Sequence, residues 1–141
     1  MVGAEKLLLV AVFAQVFLTF AVLIILGHRR VPLVFQEKIK VADIALDGEA
    51  WPLGAKLASN NFANQFQLPI MFYALAAVAL ATEQVTMWLA ILGVLFVLSR
   101  YIHAAIHISK NRVYRRFFAY VTGMAILAIM WLGFAIQTLI L

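Results

Sequence analysis

Four polar residues share one helical stripe at the end of an apolar segment. Arg100, His103, His107 and Asn111 stand at i, i+3, i+7 and i+11, offsets that project from the same side of an α-helix. Only Ser99 separates Arg100 from the apolar run ending at Leu98. A guanidinium keeps its charge throughout the working pH range and donates from a planar fork, so it can hold a carboxylate or steady a thiolate. Ionisable groups at such a depth mark functional positions by default; snorkelling to the membrane surface is the structural alternative. The pair His103 and His107 also has the i, i+4 spacing of a bidentate metal site. A third ligand would have to come from His28, Glu37, Asp43, Asp47, Glu49 or Glu83. Histidines that hydrogen-bond between helices are the commoner arrangement.

A second polar face precedes this one. Asn60, Asn64 and Gln67 fall at i, i+4 and i+7, and Met71 continues the face into apolar sequence. Amides in such a segment cannot all face lipid. They either fix helix packing or line a polar ligand pocket, and the two roles are compatible.

These residues need elements to carry them. The 141 residues are 66% hydrophobic and 12% charged, against about 25% charged in soluble domains. A chain of this size has too little interior to hide that much apolar surface from water, so the expected solvent is a bilayer. The run Leu7–Leu26 is interrupted only by Gln15 and Thr19. It is long enough to span, too long for the apolar region of a secretion signal, and lacks a small-residue cleavage site. Leu68–Ala81 is short for a span and reaches adequate length only if extended back to about Ala55. Pro69 then lies inside that helix, where it removes a backbone donor and frees the Gln65 carbonyl, which predicts a kink. The pattern predicts one domain over 1–141: an all-α integral membrane four-helix bundle. Its helices fall near 5–27, 55–81, 83–108 and 116–140, with a polar loop over 28–54.

Charge supports this count. Arg29, Arg30, Lys38, Lys40 and Lys56 lie in the first loop, and Lys110, Arg112, Arg115 and Arg116 in the third. Together they are all but two of the 11 basic residues. Four spans put both loops (28–56 and 109–116) on one side, and the positive-inside rule makes that side cytoplasmic. The net charge of +5 is therefore explained by topology and calls for no nucleic acid. The absence of cysteine excludes disulfides, thiolate metal sites and a cysteine nucleophile.

The stretch Asn64-Gln65-Phe66-Gln67-Leu68-Pro69-Ile70-Met71-Phe72-Tyr73, followed by Arg100-Tyr101-Ile102-His103, resembles the membrane-associated proteins in eicosanoid and glutathione metabolism (MAPEG), most of all the short bacterial members. The resemblance implies a homotrimer in a bacterial inner membrane, with glutathione bound between subunits as a co-substrate. It implies that Asn64 contacts the tripeptide. It places Gln67 where most members carry glutamate, Asn60 where arginine is usual, and Ala105 in place of a second tyrosine. Arg100 and Tyr101 fall at the family's adjacent arginine and tyrosine, and Arg112 matches by spacing the arginine that activates the thiol. Asn60, Asn64, Gln67, Arg100, Tyr101, His103 and His107 are then candidate substrate-binding residues and Arg112 the candidate catalytic one.

The implied chemistry is transfer of a thiol to a lipophilic electrophile, or reduction of a peroxide by the thiol. A free thiol has a pKa of about 8.5, which a nearby guanidinium lowers. The acceptor, a lipophilic small molecule, would arrive from the bilayer. Two other readings compete: a non-catalytic scaffold or accessory subunit whose polar stripes glue subunits together, and a histidine-ligated haem or metal protein.

Overall fold

The structure, a computed structural model, describes residues 3–140. The described residues form five α-helices and no strand: α1 Gly3–Phe35, α2 Leu53–Asn64, α3 Leu68–Ala81, α4 Met87–Ile108 and α5 Val113–Leu139, with one short 3₁₀ turn at Val41–Ile44. Four segments are long and apolar enough to cross a membrane, because α2 and α3 follow one another as a single span, Leu53–Ala81. The protein is thus an all-helical integral membrane protein in a lipid bilayer.

Helix α4 is the most buried of the spans; it packs against α1, α2 and α5. Leu8 of α1, Phe72 and Leu75 of α3, Leu89 and Phe96 of α4 and Met130 of α5 meet in the main core. The outer faces are apolar too. Phe13, Phe17, Phe20 and Ile24 of α1 are all exposed. At i, i+4, i+7 and i+11 they make one stripe, suited to acyl chains, since lipid removes the penalty that water would impose.

Helices α4 and α5 approach each other closely at Gly123. A β-carbon placed on Gly123 would lie 2.6 Å from Ser99 Oγ, and that hydroxyl already donates to the Phe96 carbonyl at 2.6 Å. Gly123→Ala therefore adds overpacking worth about 1–3 kcal/mol against a helix-propensity gain of about 1 kcal/mol. We expect thermal unfolding in detergent to show a loss in the single variant. In the Ser99→Ala background most of that loss should disappear; equal losses in both backgrounds would refute the contact.

Three boundaries differ from the sequence expectation. Helix α1 does not stop near residue 27 but runs to Phe35, through Pro32. The extra turns are held from outside. Arg29 donates to the Gly54 carbonyl at 2.9 Å and the Ile108 carbonyl at 3.1 Å, and the Arg30 guanidinium stacks 4.6 Å over the Trp51 ring. These contacts also join the first and third loops at one end of the bundle. At the opposite end Gln137 and Thr138 bond Gln84. The kink expected at Pro69 is a complete break between Asn64 and Leu68, with Pro69 in the first turn of α3 and Gln67 off helical geometry at φ −102°, ψ −103°. A first-turn proline loses no intrahelical bond. Lastly, α4 begins at Met87 and ends at Ile108, so Asn111 stands beyond the helix, at φ 44°. The stripe of four is a stripe of three plus a turn residue.

Candidate functional site

The break between α2 and α3 sorts the amides of that span. Those facing inward bond one another. Gln15 Nε2 donates to Gln65 Oε1 at 3.0 Å, Gln65 Nε2 to Asn61 Oδ1 at 3.2 Å, and Asn61 Nδ2 to the Ala104 carbonyl at 3.1 Å. All three amides are fully buried. This chain ties α1, the break and α4 together and leaves only Gln15 Oε1 of the three amides without a partner. It does the structural work that intramembrane amides are suited to.

The outward-facing amides line a cavity of about 430 Å³, bounded by Asn60, Asn64 and Gln67 on one side, His103 and His107 on α4, and Arg116, Phe117 and Tyr120 on α5. That volume is within the range of small-molecule sites, about 300–1,000 Å³. Asn64 Nδ2 lies 3.5 Å from His103 Nε2 and 3.4 Å from His107 Nδ1. His103 Nδ1 lies 3.2 Å from the Arg116 carbonyl. The two imidazoles meet edge to face, and His103 also packs against Tyr120. No acidic residue lines the cavity.

Arg100 stands behind this wall, with no exposed surface. Its Nη2 donates to the Asn64 carbonyl at 3.4 Å, a group at the broken end of α2, and its guanidinium sits 5.6 Å from the Tyr120 ring centre. Nε and Nη1 have no partner. The only salt bridge among the described residues is the distant pair Lys56–Glu49. A buried guanidinium with two idle donors and no carboxylate is costly; an anion in the cavity would offset part of that cost by charge alone.

Of the residues singled out in the sequence, Asn60, Asn64, Gln67, His103 and His107 come together here, and Arg100 supports them. Two stand elsewhere. Tyr101 turns away to donate to the Ala14 carbonyl at 2.9 Å, tying α4 to α1. Arg112 is exposed at the N-cap position of α5, where its side chain makes no capping bond; it lines a separate depression with Ser109, Lys110 and Arg115. The cavity's own guanidinium is Arg116, whose Nη1 donates to Asn111 Oδ1 at 2.6 Å. The helical stripe along α4 gives no sign of Arg116 and Tyr120, which reach the cavity from α5. Arg116 and Tyr120 are four apart on α5, a spacing that could have pointed to them. As for a metal, no cluster of three metal-binding side chains occurs among the described residues, so the histidine pair meets none of the remote third ligands.

No curated protein and no solved structure matches the chain. The MAPEG family matches it over residues 8–136, nearly the full set of spans, including every residue of the cavity. With four spans, a polar break in the second and a cationic cavity at one end of the bundle, this chain belongs to the MAPEG family.

Proposed function

We propose that the cavity binds glutathione and presents its thiolate to a lipophilic electrophile arriving from the bilayer. The observation that carries this reading is the cavity wall itself, with Arg116, His103, His107 and Tyr120 on it, Arg100 behind it and no carboxylate anywhere along it. Such a wall suits a small anion. Arg116 would hold the sulfur as thiolate by charge, releasing the thiol proton to solvent. Attack then forms a carbon–sulfur bond while the leaving group or activated double bond takes the electron pair. A hydroperoxide acceptor would instead be reduced to alcohol and water as two thiols become a disulfide. Positioning and charge supply the catalysis, with no covalent enzyme intermediate.

Homotrimeric assembly and a bacterial inner membrane, with the basic loops cytoplasmic, belong to the same proposal. Support comes from family membership and from the basic residues of both loops lying at one end of the bundle. The competing reading, a non-catalytic scaffold, draws on the neutral Gln67 and on the amide chain through Gln65.

Calorimetry with glutathione in detergent, together with ultraviolet thiolate absorbance, tests the proposal. A hydrogen bond to a charged group is worth about 1.5–3 kcal/mol, so Arg116→Ala should weaken binding about tenfold or more and abolish the thiolate band. Arg112→Ala should change either by less than about threefold, the effect of a rim charge. No binding at millimolar glutathione would leave the scaffold reading standing.

A further inference from the structure

We propose that His103 is a positioning residue. Its tautomer, set by the Arg116 backbone carbonyl, decides which end of the Asn64 amide faces the cavity and so reserves Asn64 Oδ1 for a ligand ammonium.

A backbone carbonyl only accepts, so the 3.2 Å contact from His103 Nδ1 to the Arg116 oxygen requires the proton on Nδ1. A neutral imidazole carries one N–H, which leaves Nε2 as a lone pair. That lone pair faces Asn64 at 3.5 Å and can be met only by the amide NH₂. The second hydrogen of the same NH₂ points to His107 Nδ1 at 3.4 Å, so His107 carries its proton on Nε2. Both Asn64 donors are then spent on histidines.

The reversed amide has a charge cost. It would turn Oδ1 toward both rings and need protons on His103 Nε2 and Nδ1 together. That adds a third cation beside Arg100 and Arg116 where no carboxylate lines the cavity, an uncompensated charge in a sheltered place. The relay therefore runs one way: Arg116 carbonyl, His103, Asn64, His107.

Its consequence is a polarity for the ligand. The Asn64 side chain reaches described residues only through Nδ2, and Asn64 lines the cavity beside Gln67, another neutral amide. Arg116 lies on the facing helix. A ligand with an ammonium at one end and a thiolate within reach of Arg116, a small thiol peptide, fits this order. This step rests on the cavity being the ligand site proposed above; the relay itself does not.

Two readouts separate the two. In protein labelled with ¹⁵N-histidine, ring-nitrogen NMR should show His103 protonated at Nδ1 and His107 at Nε2. Asn64→Asp replaces the donor by an acceptor, so His103 should gain a proton on Nε2 and His107 should move its proton to Nδ1. A wild-type His103 proton on Nε2 alone, or tautomers unmoved in Asn64→Asp, would overturn the relay. For the ligand, glutathione should bind at least tenfold tighter than the analogue with hydrogen in place of its α-amino group. In His103→Phe that preference should fall below threefold; an unchanged preference would overturn the positioning role. If neither thiol binds, the thiol reading falls, while the wild-type tautomers still decide the relay.

Discussion

Arg100→Met is expected to make the unliganded protein at least as stable as the wild type while weakening glutathione binding about tenfold or more, through loss of a cation that attracts the anion from behind the cavity wall. The two effects have one cause. Arg100 is fully enclosed, and two of its guanidinium nitrogens meet nothing. What it does meet, one carbonyl at 3.4 Å and the face of the Tyr120 ring at 5.6 Å, offsets only part of the cost of removing a cation from water. Replacing buried ionic groups by apolar ones of similar size is often neutral or stabilising by about 1–4 kcal/mol, and methionine follows the same path with a flexible, unbranched chain. Thermal unfolding in detergent and calorimetry on the same preparation measure both. A large loss of stability together with unchanged binding would assign Arg100 to packing and remove the anionic-ligand argument.

Gln65→Leu should have the opposite signature: a loss of about 2–5 kcal/mol in stability, with the cavity's residues left in place. Gln65 bonds both Gln15 and Asn61 inside the bundle. Leucine in its place strands the Gln15 donor and the Asn61 acceptor, each unsatisfied buried group costing about 1–3 kcal/mol. Removing both ends of a bond is far cheaper than removing one. The double variant Gln15→Leu/Gln65→Leu should therefore recover most of the loss, leaving mainly the Asn61 acceptor unmet. Unfolding midpoints of the two singles and the double close the cycle. A double variant no better than Gln65→Leu would show that these amides are not coupled through the bond between them.

Much of the site is legible in the residues alone. The offsets of Asn60, Asn64 and Gln67 put them on one side of a helix, and those of Arg100, His103 and His107 on another, because α-helical geometry repeats regardless of what surrounds it. Those two sides do meet at one cavity, except that Arg100 stands behind its wall. What periodicity could not supply was the partner helix. Arg116 and Tyr120 reach the cavity because α5 packs along α4 after a turn at Asn111, and the angle of that turn is a property of packing. Tyr101 follows Arg100 directly in the chain, yet points to α1, since neighbours in a helix are about 100° apart around the axis.

The chain's own residues determined the solvent, the number of spans and the shared end of the two basic loops. These follow from summed hydrophobicity and from charge placement, quantities that add along a chain without reference to its folding. Tertiary structure decided three other things. Helix α1 runs through Pro32 because Arg29 and Arg30 are gripped from outside. The Pro69 span breaks outright, its freed Asn64 carbonyl taken by Arg100. The amides divide into an inner chain that holds helices and an outer set that lines a cavity. Each depends on which group arrives from elsewhere to satisfy a donor or acceptor, and a hydrogen bond across dozens of residues leaves no periodic trace in the sequence.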